Sequence, residues 1–202
     1  MNPTESTSFR VSDFIQELHE NRIKAYRASP GDIREHFGIE EAVLAGGYGY
    51  RQVLELVQNG ADAILEEDGD GGGQDSAQIE ILLEGGCLYA ANTGAPFSRE
   101  GVEALLHSHS SPKRGIQIGR FGLGFKSLLR LGGKIDITSG EGAFGFDPEK
   151  CRRELKQEFQ VEEAPGLRLA WPLPDGRTAY LRNRFPWATT VVCAEIGQQD
   201  VR

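Results

Sequence analysis

The sequence lacks any apolar run of transmembrane length, and its N-terminus, MNPTESTSFR, has no signal-peptide core. It contains only three cysteines, which are widely spaced and match no zinc-binding pattern: Cys87, Cys151 and Cys193. Free, buried thiols in a reducing compartment fit such a set. These absences argue against a membrane protein and predict a cytoplasmic location.

Positive charge is also scarce, since 22 Lys and Arg face 30 Asp and Glu, for a net charge of −8. That balance argues against direct nucleic-acid binding by this domain. Hydrophobic residues make up 39% of the chain and charged residues 26%, which is ordinary for a globular protein. For 202 residues we expect a disordered N-terminus, 1–10, and a single domain, 11–202.

A glycine-rich stretch at 118–127, IGRFGLGFKS, is the most distinctive feature that is present. Glycines let a backbone approach a ligand closely, and the apolar spacing at 127–131 predicts a helix that begins here. A helix N-terminus attracts anions, and Arg120 and Lys126 add positive charge. The stretch therefore predicts a polyphosphate site. Neither P-loop nor dinucleotide-binding spacing matches, and a glycine turn that packs a helix onto a strand is the alternative.

A strong helix is predicted at 51–66, with inward residues at helical spacing: Val53, Leu54, Val57, Ala61 and Ile64. Its polar residues Glu55, Asn59 and Asp62 follow at steps of four and three, which places them on one face. The amide oxygen of Asn59 suits Mg²⁺, and Glu55 suits activation of a water molecule. An ordinary solvated polar stripe is the alternative.

A β-hairpin is predicted from 78–83 and 87–91, turning at Gly85-Gly86 and running into Asn92-Thr93-Gly94. Asn92 carries both an acceptor and a donor, which suits a base edge such as that of adenine. A simple Asn-Thr-Gly turn is equally compatible with these residues.

The remaining predictions concern the rest of the chain. We expect helices from Ser12, near 32–37, from Ser98 to Leu106 and within 147–163; strands at 134–138, 143–146, 167–171 and 191–196; a linker at 68–75; a mobile lid at 107–117; and a loop at 172–189. His107 and His109 lie in the lid without a nearby acidic or cysteine ligand, which favours a merely polar role.

The order of these motifs resembles the ATPase domain of the GHKL superfamily, which includes gyrase-type topoisomerases, ninety-kilodalton heat-shock chaperones, histidine kinases and MutL repair proteins. The stretch ELVQNGADA at 55–63 is similar to the family's N-box, and IGRFGLGFKS followed by KIDITSG is similar to the chaperone segment. The ELVQN, NTG.PF and FPWATT segments resemble the sacsin-like branch. The likeness covers roughly residues 45–197.

The resemblance implies the Bergerat fold, an α/β two-layer sandwich of a mixed, mostly antiparallel sheet covered on one face by helices. It implies that Glu55 activates the hydrolytic water and that Asn59 holds Mg²⁺ and the phosphates. It further implies a nucleotide-binding set around them: Asp62, Ala63, Asn92, Gly94, Phe97, Lys113, Gly119, Arg120, Phe121, Gly122, Leu123, Gly124, Phe125, Lys126 and Thr189.

Two positions depart from the family pattern. Asn92 stands where the family has a base-reading aspartate, so its oxygen can accept from the adenine amino group but the charge is lost. Pro96 replaces the second glycine of that motif and stiffens the start of the lid. Both departures leave the site in place on physical grounds, with weaker adenine affinity or selectivity expected.

The resulting hypothesis is a slow, Mg²⁺-dependent ATPase that closes a lid and drives homodimerisation or partner remodelling. It would be the N-terminal module of a longer chaperone-like or defence-related protein, with ATP and ADP as ligands. A non-catalytic nucleotide sensor is the alternative. A histidine-kinase-type phosphotransfer domain fits less well, because no convincing phosphoacceptor helix precedes 55–63.

Overall fold

The computed structural model describes residues 11–46, 51–68, 77–106 and 125–197. Six strands form one sheet in the order β1-β2-β6-β3-β4-β5, and each neighbouring pair is antiparallel. The strands are β1 (Ile79–Glu84), β2 (Cys87–Asn92), β3 (Gly132–Ser139), β4 (Gly142–Phe146), β5 (Trp171–Pro172) and β6 (Thr190–Ile196). The predicted α/β class with a helix-covered sheet is confirmed, and no parallel pair occurs among the described strands.

Six α-helices and one 3₁₀ helix surround this sheet in the described residues. They are α1 (Val11–Ala28), α2 (Gly31–Ala45), α3 (Gln52–Asp68), α4 (Arg99–Leu106), the 3₁₀ helix Phe125–Leu131, α5 (Pro148–Phe159) and α6 (Asp175–Arg184). None of them combines the length and the apolar character needed to cross a membrane.

The hairpin between β1 and β2 follows directly from its two glycines. Gly85 and Gly86 have φ angles of 59° and 74°, a conformation that glycine adopts without steric cost. Positive φ at both turn residues matches the twist of antiparallel strands. The turn therefore fixes the register that brings Asn92 to the end of β2, opposite Ile79.

The main core lies between one face of the sheet and the helices. Alternate strand residues such as Ile135, Ile137, Val192 and Ala194 point into it. They meet buried residues of α1, α3, α4 and the 3₁₀ helix, including Phe14, Leu56, Val102 and Leu128. The intervening residues Val191 and Cys193 pack on the other face, so the central strand β6 is buried on both sides.

The opposite face of the sheet carries α6, a helix that the sequence pattern does not predict. The prediction of a loop at 172–189 is wrong, because 175–184 is helical. Leu181 and Phe185 pack on Tyr89, Val191 and Cys193. Leu181 is the one buried residue of this helix, so the sequence has no apolar periodicity that would predict the helix. Helices thus contact both faces, although most lie on one.

Three further predictions need correction. Helix α2 runs to Ala45 rather than ending near 37. Residues 167–170 are buried but not in a strand, and only Trp171–Pro172 pairs with β4. Val53 and Leu54 of α3, which were expected to point inward, are 47% and 46% exposed. Val53 and Leu54 therefore do not belong to the inward face of α3.

Candidate functional site

Helix α3 rests on the sheet through Leu56 and Gly60, rather than through its aliphatic stripe. Leu56 is buried in the main core. A Cβ built on Gly60 would lie 3.2 Å from Cδ1 of Ile79 and 3.2 Å from Cβ of Asn92. The missing side chain therefore lets the helix approach the strands β1 and β2 closely. This approach rotates Val53 and Leu54 outward and brings the polar residues of α3 toward the sheet.

The three polar residues of α3 are shielded from solvent. The Glu55 side chain is 14% exposed, Asn59 is half-buried and Asp62 is 6% exposed. A solvated stripe would expose all three, so the structure does not support that alternative. Arg51 lies 3.8 Å from Glu55, measured from Nε to Oε1, one turn earlier on the same helix. That separation allows only a weak attraction for a partly exposed cation.

The loop after β2 docks directly on α3 at Gly94. The Gly94 φ angle is +103°, and a Cβ on it would lie 2.5 Å from the carbonyl carbon of Ala63. The next amide, of Ala95, donates to the Ala63 carbonyl oxygen at 2.9 Å. Gly94 and Ala63, two predicted site residues that are 31 positions apart, are therefore in contact.

Asn92 is buried at the end of β2, with 8% exposure. Its Nδ2 donates to the Thr93 carbonyl oxygen at 2.7 Å, a local contact that an Asn-Thr-Gly turn would make. Its own carbonyl oxygen accepts from the Thr189 amide at 2.9 Å. Asn92 thus serves the turn, and it also sits beside Gly60 at the edge of the α3 polar face.

A hydroxyl pair beside Asn92 was missed in the sequence. Thr190 faces Asn92 in the β2–β6 register and faces Ser139 in the β3–β6 register. The two hydroxyl oxygens, Thr190 Oγ1 and Ser139 Oγ, are 2.7 Å apart and buried. Ser139 Oγ also accepts from the Phe97 amide at 2.8 Å, which ties in another predicted residue.

The predicted residue Thr189 contributes through its backbone. Its amide donates to Asn92 and its carbonyl oxygen accepts from the Gly140 amide at 3.0 Å. Strand β6 begins at Thr190, one residue before the predicted start of the strand at 191. The only sequence signal for Thr190 is its place next to Thr189, and this does not show which of the two threonine side chains faces the site.

Lys126 is fully buried and points to α4. Its Nζ donates to the Leu105 carbonyl oxygen at 3.3 Å, and its exposure is 0%. Burial, with the nearby Arg168, lowers its pKa to about 7, although Glu40 opposes the shift. Phe125 is buried against Phe146, with ring centroids 5.2 Å apart. These contacts join the start of the 3₁₀ helix to α4 and to β4.

The helix that begins at this point is a 3₁₀ helix rather than an α-helix. Gln52 of α3 reaches it, because its Nε2 donates to the Ser127 carbonyl oxygen at 3.3 Å. The start of α3 is therefore tied to the last residue of the glycine-rich stretch.

The rest of that stretch lies outside the described residues. The predicted nucleotide contacts concerned are Gly119, Arg120, Phe121, Gly122, Leu123 and Gly124. The predicted lid at 107–117 also lies outside the described residues, with its contact Lys113 and the histidines His107 and His109, for which a merely polar role was predicted. Within the described ranges, no cluster of three or more His, Cys, Asp or Glu residues could hold a metal ion. All three cysteines are free thiols, as predicted, but only Cys151 and Cys193 are buried, and Cys87 is partly exposed.

Comparisons with models of known protein families and with curated proteins found no match to this chain.

A first prediction concerns the contact at Gly94. Gly94→Ala should lower the free energy of unfolding by at least about 2 kcal/mol, because the new methyl group would overlap the backbone of Ala63 at a positive φ. Gly31→Ala is the control, since nothing lies within 4 Å of its Cβ position and its φ is unremarkable. Denaturant unfolding measures both. Equal stability of the two variants would contradict the close approach.

A second prediction concerns the pH dependence of stability. The pKa of Lys126 is about 7 in the folded protein against an ordinary 10.5, so above pH 7 the unfolded chain binds more protons at this residue. The free energy of unfolding should therefore rise from pH 7 to 8.5, by at most about 1.4 kcal/mol per pH unit. We limit the measurement to this pH range because burial raises the pKa of Cys151 and Cys193 to about 12. At higher pH these thiols ionise in the unfolded chain before they ionise in the folded protein, and this lowers the free energy of unfolding.

Lys126→Met should flatten that rise, whereas Lys24→Met, at an exposed position on α1, should leave it unchanged. The groups facing Lys126 are Arg168, Glu40 and Arg22. Identical pH slopes for wild type and Lys126→Met, measured by urea unfolding, would exclude a strongly depressed pKa.

Proposed function

We propose that this domain binds ATP with Mg²⁺ and hydrolyses it slowly. The observation that carries the proposal is the convergence of three chain segments at one end of the sheet. These segments are the shielded polar face of α3, the end of β2 at Asn92, and the loop at Gly94 that bonds to Ala63. The same segments carry the resemblance to the GHKL ATPases.

Asn59 would provide the protein ligand to Mg²⁺. Magnesium commonly keeps several waters and takes only one or two protein oxygens together with substrate phosphates. A single half-buried amide oxygen therefore fits it, and a larger cage of carboxylates is not required. The buried carboxylate of Asp62, one turn away, adds negative charge that favours a cation nearby.

Glu55 would act as the general base for the attacking water. Its side chain is largely covered yet not sealed, so that a water molecule can reach it. The Arg51 guanidinium, 3.8 Å away and one turn earlier on α3, would help to orient this carboxylate by a weak attraction. With a nucleotide bound, the terminal phosphorus would be the electrophile, and the Glu55 carboxylate would take a proton from the attacking water. The new bond from the water oxygen to this phosphorus would form as the bond to the bridging oxygen of ADP breaks, so that ADP and phosphate are released.

The adenine base of ATP would lie at the other side of this site, near Asn92. The Thr190 and Ser139 hydroxyls beside it are buried polar groups that can accept or donate. Because Asn92 carries an amide and not a carboxylate, it would accept one hydrogen bond from the adenine amino group through an uncharged oxygen. We therefore expect selectivity for adenine to be moderate.

The sensor alternative uses the same pocket without turnover, and the presence of Glu55 favours the ATPase over the sensor.

The kinase alternative has less support. His19 on α1 bonds through Nε2 to Oε1 of Glu154 at 2.7 Å, and His36 on α2 bonds through Nδ1 to the Tyr26 hydroxyl at 2.8 Å. Burial lowers the pKa of His36 to about 4. Both histidines of the helices before α3 are therefore engaged in packing contacts. Homodimerisation and the remodelling of partners remain predictions of the resemblance.

The third prediction is a calorimetric titration with ATP, with and without Mg²⁺. Wild type and Glu55→Ala should bind ATP in a Mg²⁺-dependent way, whereas Asn59→Ala should lose at least about tenfold in affinity, as expected for a charge-assisted contact of about 1.4 kcal/mol or more. Glu55→Ala should release no phosphate. Asn183→Ala and Glu66→Ala are matched controls at exposed helix positions and should behave as wild type.

The outcomes separate the candidate functions. Binding without phosphate release by wild type would support the sensor. Equal affinity of Asn59→Ala and Asn183→Ala would place the nucleotide elsewhere. Absence of binding by wild type would contradict the proposal.

A further inference from the structure

The aliphatic residues of α3 form a continuous stripe on the side of the helix that the sheet leaves uncovered. They recur at helical spacing and comprise Val53, Leu54, Val57, Ala61, Ile64 and Leu65. Three of them are largely exposed, Leu65 the most at 64%, and the other three are partly exposed. None of the six belongs to a hydrophobic cluster in the described part of the chain.

A stripe of this kind is unusual on a helix of a globular protein. Such a helix normally turns its apolar side to the core, whereas α3 turns Leu56 and Gly60 to the sheet. Contiguous exposed apolar surface marks places where proteins associate. The outer stripe of α3 is therefore a candidate interaction surface, on a different side of the helix from Glu55 and Asn59.

The charges at the two ends of α3 indicate which partner fits this stripe. Arg51, directly before the helix, has a side chain that is 42% exposed. Glu66 and Glu67 are exposed near the other end, where the last turn contains no basic residue. Acidic side chains at a helix C-terminus oppose the helix dipole. An antiparallel copy of α3 would bring its positively polarised N-terminus, and its Arg51, to these carboxylates.

We propose that two copies of this chain associate through the outer stripe of α3, packed antiparallel about a twofold axis near position 59. A twofold interface uses the same patch on both chains, so that each contact occurs twice. The small side chain of Ala61 near the axis allows the two helix axes to approach to about 8–10 Å. This register pairs residues of one copy with residues of the other as follows: Val53 with Leu65, Leu54 with Ile64, Val57 with Ala61, and Arg51 with Glu67.

Sedimentation velocity over a range of protein concentrations, without nucleotide, tests this interface. Wild type should form a concentration-dependent dimer. Leu65→Gln keeps the helix propensity and should weaken the dimer at least about tenfold, because two apolar contacts are lost and two amides are buried. Leu83→Gln is the matched control. Leu83 lies on β1 and is 66% exposed, so this variant should dimerise as wild type does.

Charge reversal at the ends of α3 tests the antiparallel register. Arg51→Glu and Glu67→Arg should each weaken the dimer about fivefold, since two like-charge pairs replace two opposite pairs. The double variant should return to within about twofold of the wild-type affinity. A parallel register would keep like charges together in all four proteins, so that neither single change would alter the affinity. Both positions are exposed, so these variants remain informative if Leu65→Gln fails to fold.

Three results would overturn the inference. Wild type with a dimer Kd weaker than about 1 mM would show that another segment or partner covers the stripe. Equal affinities for Leu65→Gln and Leu83→Gln would place the interface elsewhere. Single charge reversals without effect would exclude the antiparallel register. The measurement contains no nucleotide, so its failure leaves the proposed ATPase function untouched, and a failure to bind ATP leaves the dimer untouched.

Discussion

The candidate site depends on the close approach of α3 to the first hairpin. Two glycines make it possible, Gly60 on the helix and Gly94 in the loop, because neither carries a side chain that would separate the backbones. The contact between Ala95 and Ala63 then fixes the loop on the helix. Glu55, Asn59 and Asp62 face inward as a consequence of this packing, and their shielding gives carboxylates and amides a stronger electrostatic effect than they would have in water.

A second constraint acts on the other side of α3. Gln52 bonds to the 3₁₀ helix, and the 3₁₀ helix is anchored to α4 through Lys126. The Glu40–Arg168 pair links the same region to α2 and to residues 166–168. Short-range packing therefore shapes the part of the proposed pocket near Asn92, while buried charge holds α2, α4 and the 3₁₀ helix together.

Much of the fold could be predicted because its signals are local. The hairpin needs only two apolar runs and Gly85-Gly86, and α4 needs only Ser98, whose hydroxyl accepts from the Gly101 amide at 3.1 Å. Helix α6 could not be predicted, since one buried leucine leaves no period to detect. The inward face of α3 was misjudged because a glycine and polar side chains, not aliphatic ones, meet the sheet.

The candidate site was predictable in part. The spacing of Glu55, Asn59 and Asp62 showed that they share a face, but only tertiary packing decides whether that face is shielded. The Ser139–Thr190 pair depends on the register of two strands that are 51 residues apart. The burial of Lys126 depends on Leu105, Arg168 and Glu40, which no local pattern connects to it.

The location of the proposed nucleotide pocket can be tested by an NMR titration of ¹⁵N-labelled protein with Mg·ATP, followed at assigned backbone amides. We expect the largest shifts among the described residues at Asn59, Ala63, Asn92 and Gly94, with little change in α5 and α6. Shifts centred on α6 or on the outer strands β4 and β5, or no shifts at millimolar Mg·ATP, would contradict it.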